Sequence, residues 1–551
     1  MIVKVCLKLH IMKKYLHAVL IILITGCNAE RDRTHLSMIV NQEALGKHIE
    51  KLASDEFMGR MPFSEGEDKT VSYLKNEFQE LGAQSGNGDS YFQEVPLVQL
   101  NGIPSEEMLI SGGRKDIILK HYKDFMVLSE KAVPEVELDR SDMVFAGYGI
   151  VAPEYDWNDY EGIDWEGKTA VVLVNDPGFN SEDSTLFKGN ELTYYGRWTY
   201  KCEEAARQGA AGVIIIHESE PAGYGWGVVQ AGFTNNNLTF ESDRPLVDIS
   251  AWISSEGADV LFESSALAGR DYKEIALKKD FKAIPLGLFA SVKIENNLKK
   301  DVSRNVIALI PGTDRKDEYI IYCAHWDHFG IGKPVDGDSI YNGAVDNATG
   351  TAALLALAEA FIKAGPTSRS IVLLAVTAEE QGLFGSAYYA ENPVYEPEKT
   401  VAVINIDAIL APCPMKDLTI IGYGHSEMDD YAREAAEKQG RYIIPDPESD
   451  KGYIFRSDQF SFASIGIPSL YAYGRFEGFT KSIEEIKMVI EDYEMNKYHM
   501  PTDEFDTETF DLSGIQFDIQ LLFDIGYKLA NESYFPEWYD DSEFKPLRNR
   551  N

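Results

Sequence analysis

Three apolar runs, Tyr319 to Ala324, Ile371 to Val376 and Val401 to Ile406, constrain the fold of this 551-residue chain more than anything else in it. Near-continuous rather than alternating runs of this length are expected of strands covered on both faces, as in parallel sheets. Between the first two lies a helical pattern, Thr351 to Lys363, closed by Gly365-Pro366. Val306 to Ile310 and Ile467 to Tyr473 read as further strands, and Leu512 to Leu529 as a last helix. This alternation predicts an α/β fold with a mostly parallel central sheet flanked by helices.

In such sheets, sites form at the carboxyl ends of strands. His325-Trp326-Asp327 follows the first run, Glu379-Glu380 the second and Asp407 the third. Asp346 lies in a tight turn ahead of the helical pattern, and His499 comes late in the chain. One histidine and one terminal carboxylate per metal, with a carboxylate shared by both, would hold two zinc ions and leave positions open. That assigns His325, Asp346 and Asp407 to one ion, and Asp346, Glu380 and His499 to the other. Adjacent residues at a strand end point in different directions, so Glu379 is free to take a proton from a water that the metals acidify. Asp327 suits the task of holding the other imidazole N–H of His325. The expected site is therefore Glu379 and Asp327 acting around the ligands His325, Asp346, Glu380, Asp407 and His499.

The remainder of the chain bounds these readings. A net charge of −37 repels phosphate backbones and argues against nucleic-acid binding. Lys13-Lys14 precede an apolar run from Tyr15 to Ile24 that is too short to span a bilayer but suits a signal peptide. It ends in Ile24-Thr25-Gly26-Cys27, which resembles a bacterial lipobox, so the expectation is export with a lipid tether on Cys27. Cys202, Cys323 and Cys413 are an odd, widely spaced set that makes no disulfide framework. From Asn41 to Leu81 the spacing predicts helices interrupted by the loop Met58-Gly59-Arg60-Met61-Pro62. Met143 to Ile150, Thr169 to Val174 and Gly212 to Ile216 read as strands, Lys201 to Gln208 as a helix, and Gly223 to Asn237 as loops.

The segments His325-Trp326-Asp327, Asn342-Gly343-Ala344-Val345-Asp346-Asn347, Thr377-Ala378-Glu379-Glu380, Asn405-Ile406-Asp407 and Tyr498-His499-Met500-Pro501-Thr502-Asp503 resemble the co-catalytic zinc aminopeptidase family. That family also contains glutamate carboxypeptidases and, more distantly, glutaminyl cyclases. Arg456-Ser457-Asp458 and Gly466-Ile467-Pro468 fit it as well. Gly147-Tyr148-Gly149-Ile150 and the stretch from Glu203 to Ala210 resemble a protease-associated domain, which is expected to be β-rich. The resemblance implies an exopeptidase with two zinc ions per chain that removes amino-terminal residues from peptides outside the cytoplasm. The expected layout is a signal peptide over 1–26, a lipidated linker over 27–40, and the N-terminal part of the peptidase domain over 41–130. The insert follows over 131–290, the zinc peptidase domain over 291–535 and a tail over 536–551. Carboxypeptidase action, glutaminyl cyclisation and a non-catalytic receptor-like relative are the alternatives. After Asp407 the chain has Ala408-Ile409-Leu410, and after Asp458 it has Gln459, where many relatives differ; both departures bear on pocket shape. His328 is the neighbour that could be mistaken for His325, and it reads as packing behind the site.

Overall fold

In the computed structural model the apolar runs form the middle of one sheet. The structure describes residues 38–548 apart from 180, 182, 184, 234–235, 243 and 507–509, so the leader and Cys27 lie outside the described residues. Two helices come first, α1 (Gln42–Leu52) and α2 (Glu65–Leu81). Asn41 and Ser64 cap their amino ends through side-chain oxygens, and Gly82, at φ 92°, ends α2. Their apolar faces, Leu45, Ile49 and Leu52 on one and Val71, Leu74 and Phe78 on the other, are fully buried.

The main elements that follow are β1 (Phe92–Pro104), β2 (Ile284–Ile310), β3 (Arg315–His325), α3 (Thr349–Ala364), β4 (Arg369–Val376), β5 (Thr400–Asn405), β6 (Ser469–Tyr473) and α4 (Leu512–Asn531). The end of β2 pairs antiparallel with β4. Beyond it β4, β3, β5 and β6 run parallel in that spatial order. Strands Asp417–Ile421 and Tyr442–Pro445 extend the sheet past β6. Register places His325 opposite Val376, and Cys323 opposite Asn405. Three strands therefore finish at one level, which is what brings their trailing residues together.

Helix α3 is apolar all round, with Ala352 to Ala358 buried. Such a helix must be covered on every side, and it lies between the sheet and helices α1, α2 and α4. Tyr322 projects from β3 beneath α4, where its hydroxyl donates to the Leu522 carbonyl at 2.8 Å. A methyl group at Gly526 would stand 1.9 Å from that hydroxyl oxygen. Gly526→Ala is accordingly expected to lose about 1–3 kcal/mol of stability by overpacking, read as a lower denaturant midpoint at unchanged slope; an unchanged midpoint would show that α4 shifts freely.

A second core occupies the inserted region. Strands Glu135–Phe145, Thr169–Leu173, Gly212–Ile216 and Ile249–Ile253 run parallel in that order, and Phe125–Leu128 closes the edge antiparallel. Helices Trp198–Arg207 and Ser255–Ser264 accompany them. This core begins before residue 131: Ile110 pairs with Ala290 and Leu128 with Ser250, so 107–128 pack with the insert rather than with α1 and α2. Strand β2 serves both cores. Its start, Ile284 to Glu295, pairs with Glu135–Phe145, its middle with β1 from Ile294 opposite Pro104 to Val306 opposite Phe92, and its end with β4.

Three local expectations change. The strand expected to reach Ile150 stops at Phe145, because Gly147 and Gly149 turn the chain at φ 55° and 66°. The stretch expected to be loops from Gly223 to Asn237 contains helix Trp226–Gly232 and enters strand Asn236–Thr239. A helix unmarked in the sequence, Ile483–Asn496, is opened by a capping box between Ser482 and Glu485. Cys202, Cys323 and Cys413 are free and buried, and no helix of the described residues is long and apolar enough to cross a membrane.

Candidate metal centre

Most residues expected at the site are delivered by the ends of buried strands, and His499 by the turn after helix Ile483–Asn496. His325 is the last residue of β3, Glu379 and Glu380 follow β4, and Asp407 follows β5. Asp346 lies in the turn that winds into α3, after a left-handed Gly343 at φ 55°. A cross-link fixes two of these segments. Asn347 donates to the Ile406 carbonyl (3.0 Å) and accepts from the Ala408 N–H (3.2 Å) and the Gly350 N–H (2.9 Å). Ala378, Ala408 and His499 all adopt left-handed φ, at 53°, 47° and 59°. For residues with a β-carbon this costs about 1–2 kcal/mol each, and here it turns the chain so that Glu379, Asp407 and His499 face one point.

Around that point Asp346 is shared. Its Oδ1 lies 3.3 Å from His325 Nε2, and its Oδ2 lies 3.2 Å from His499 Nε2. Asp407 Oδ1 completes the first half at 3.2 Å from His325 Nε2. Glu380 Oε2 completes the second at 3.4 Å from His499 Nε2. Glu379 Oε2 is set back, 3.9 Å from His325 Nε2. Donors of His325, Asp346 and Glu380 lie within 4.8 Å of one another, as do those of His325, Glu379 and Asp407.

The donor set fits a pair of divalent cations. Ligands 2.0–2.1 Å from a tetrahedral ion sit about 3.3 Å apart, which is the spacing found in both halves. Charge points the same way. Burial, reinforced by neighbouring carboxylates, pushes Glu379 and Glu380 well above the ordinary carboxylate range. His325 is held well above the usual imidazole value, because Glu379 and Asp407 outweigh a burial that opposes it. A cluster so overloaded with negative charge is relieved by cations.

Groups behind the ligands fix their orientation. Ser457 Oγ donates to Asp407 Oδ2 at 2.5 Å, and Asn405 in turn donates to Ser457 Oγ. The Asp503 carboxylate accepts from the N–H groups of Val345 (3.0 Å) and Asp346 (3.1 Å), with its pKa pushed up to about 7 by burial. His328, fully buried, faces Glu380 Oε1 across 2.5 Å; burial lowers its pKa to about 3, which keeps it neutral. Asp327 departs from expectation. Its backbone carbonyl, not its carboxylate, is nearest to His325 Nδ1, at 3.2 Å against 3.8 Å. The carboxylate accepts the Glu379 N–H at 3.1 Å instead, so Asp327 positions the Glu379 backbone as well as the imidazole.

Arg60 has no role in the sequence-based expectation. It is fully buried with φ at 51°. Its guanidinium donates to the carbonyls of Trp326 (2.9 Å), Leu52 (2.8 Å), Asn342 (2.5 Å) and Gly343 (2.8 Å). One side chain thereby ties the segment carrying His325 and Asp327 to the segment carrying Asp346. The only signal in the sequence is an arginine within a short loop rich in glycine and proline.

His325, Glu379, Glu380 and Asp407 at the carboxyl ends of parallel strands, joined by Asp346 and His499 from turns, make a candidate metal centre on an α/β fold. Residues 305–520 match the model of peptidase family M28. Aminopeptidase NAALADL1 of Mus musculus is 35% identical over 131 residues, 23% of this chain and 16% of that protein. A protein of Leptosphaeria maculans named a probable zinc metalloprotease is 32% identical over 105 residues, 19% of this chain and 24% of that one. The chain thus spans less than a quarter of the length of these relatives. Among solved structures, an aminopeptidase from Aneurinibacillus sp. strain AM-1 superimposes at a TM-score of 0.47, with 19% identity, 91% of this chain and 97% of that chain covered.

Proposed function

We propose that this protein is an exported, zinc-dependent aminopeptidase that hydrolyses the amino-terminal bond of peptides. The observation that carries the reading is Asp346, whose two oxygens each face a different histidine at 3.2–3.3 Å. His325, Asp346 and Asp407 would hold one zinc ion, and His499, Asp346 and Glu380 the other. When bound, the ions supply Lewis acidity toward the substrate carbonyl and lower the pKa of water toward about 7. The chain's own residues do the rest. Glu379, set back from His325, receives the proton of the attacking water and returns it to the departing amine. The Asp327 carboxylate holds the Glu379 backbone in place. Asn347, Asp503 and Arg60 hold the ligand-bearing turns, so that little reorganisation accompanies the reaction. Names of relatives that include aminopeptidase and zinc metalloprotease support this reading.

The test combines metal content with turnover of aminoacyl-anilides. We expect two zinc ions per chain, hydrolysis of substrates with a free amino group, and loss of activity on chelation that zinc restores. Chelation is also expected to lower thermal stability, since an ion bound only by the folded state stabilises it by about 2.7 kcal/mol at a hundredfold excess over its dissociation constant. One ion per chain with cyclisation of N-terminal glutamine, or cleavage that requires a free carboxyl terminus, would replace the reading. For the exported, tethered state, Cys27→Ser is expected to abolish acyl-chain incorporation and move the protein from the membrane to the soluble fraction. Unchanged fractionation would sink the lipid anchor.

A further inference from the structure

Asp407 is held from behind by a chain of four hydrogen bonds whose far end is a backbone carbonyl. Gln459 Nε2 donates to the Ile454 carbonyl (2.9 Å), and Gln459 Oε1 accepts from Asn405 Nδ2 (2.7 Å). The same Nδ2 donates to Ser457 Oγ (2.7 Å), and Ser457 Oγ donates to Asp407 Oδ2 (2.5 Å). Asn405 ends β5, Ile454 lies in the turn Tyr453–Phe455, and Gln459 opens the short helix Gln459–Ala463. The side chains of Gln459, Asn405 and Ser457 are all buried.

The direction of this chain is fixed at its far end. A carbonyl can only accept, so the Gln459 amide must present its NH2 to Ile454 and its oxygen to Asn405. Asn405 must then present its own NH2, and both hydrogens are spent, one on Gln459 and one on Ser457. Its oxygen, Oδ1, is left buried without a hydrogen-bond partner among the described residues. Buried polar atoms are ordinarily paired, so the orphaned oxygen marks an orientation imposed by the neighbours. Turned over, the Asn405 amide would set its oxygen against the Gln459 oxygen or take the Ser457 proton for itself. A serine lone pair would then face the Asp407 carboxylate. In the orientation found, the serine oxygen has a donor at its back and its proton on Asp407 Oδ2. Asp407 Oδ1 stays on the other side, 3.2 Å from His325 Nε2.

We infer that Gln459 is a positioning residue for the metal centre: anchored on the Ile454 carbonyl, its amide sets the direction of the Asn405 and Ser457 bonds and so holds Asp407 with one oxygen engaged and the other presented to a cation. The ion assigned to His325, Asp346 and Asp407 therefore depends on Gln459, and the ion assigned to His499, Asp346 and Glu380 does not. Groups behind a metal ligand are worth about 10–100-fold in affinity, and here the effect passes through two intervening side chains. This inference rests on the two-zinc reading for its consequence at the metal, but the direction of the bonds does not depend on that reading.

The experiment has two parts. In the first, zinc affinity is measured by chelator competition for the wild type, Gln459→Leu, Ser457→Ala and the double variant. Gln459→Leu is expected to weaken one of two binding steps by about 10–100-fold and to leave the other within about twofold. The double variant is expected to bind no more weakly than Ser457→Ala alone, because both changes break the same chain. Losses that multiply in the double variant, or a Gln459→Leu protein that binds both ions as the wild type does, overturn the inference. The second part uses Gln459→Glu to separate bond direction from packing. A protonated carboxyl can donate to Ile454 and accept from Asn405 as glutamine does, whereas an ionised one can only accept. Burial raises the pKa of the introduced carboxyl above its unfolded value, so its contribution to stability is present at low pH and lost as pH rises through the raised value. Relative to the wild type at the same pH, both the denaturant midpoint and the zinc affinity of this variant are expected to fall between about pH 5 and 8. A deficit that is the same at every pH would assign Gln459 to packing alone and overturn the inference. Unfolding is measured on the chelated protein. A midpoint that falls with pH therefore supports the bond direction even if the wild type binds one zinc ion or none, in which case the two-zinc reading alone fails.

Discussion

Replacing Arg60 by methionine is expected to lower stability by about 3–5 kcal/mol and metal affinity by about 10–100-fold. The side chain is fully buried and donates to four carbonyls drawn from three separate segments. Methionine fills much of the space but leaves those acceptors unpaired, at about 1–3 kcal/mol for each that water does not reach. It also withdraws a positive charge that stabilises Asp503, Asp327, Asp346 and Glu380 as anions. Arg60→Lys keeps the charge and loses the fork, so it should recover part of the metal affinity but little of the stability. Denaturant unfolding of the chelated protein and a zinc titration read the two effects separately. Wild-type values in both would show that the loop 58–62 contributes packing alone.

Glu379→Gln is expected to reduce kcat by about 10²–10⁴-fold while leaving metal content and KM nearly unchanged. Glutamine preserves shape and the backbone bond to Asp327 but takes no proton. Because Glu379 stands farther from His325 than Asp346 and Asp407 do, its loss should not release an ion. Activity within tenfold of wild type, or zinc loss in proportion to activity, would move the proton-transfer role to another group.

The runs at 319–324, 371–376 and 401–406 were legible in the sequence because parallel strands covered on both faces leave unbroken apolar stretches, and the residues that end them mark the site. His499 and Asp346 could be read only through their place in a motif, since each lies in a turn with no periodicity of its own. Arg60 was invisible for the same reason: one charged residue in a loop gives no pattern, and its partners lie up to 283 positions away. The early start of the second core was hidden too, because Leu128 finds Ser250 and Ile110 finds Ala290 across long sequence distances. Helix Trp226–Gly232 escaped because its glycines imitate a loop. The role of the Asp327 carbonyl depends on a backbone angle that residue identities do not encode.

Strand β2 continues unbroken from the insert's sheet into the peptidase sheet, with β1 paired along its middle. Two units joined by a flexible tether could rotate freely, but a ribbon of two strands, widened to three where Asn236–Thr239 pairs with Val98 to Asn101, resists swivelling and yields mainly by twisting along its length. The seam between the two units, where Arg197 stands beside Phe455, is therefore held in alignment by a torsion bar about 40 Å from end to end, at about 3.3 Å for each step between those 13 pairs. A glycine pair placed in the middle of that ribbon would soften the bar, and would loosen the seam without touching a single residue in it.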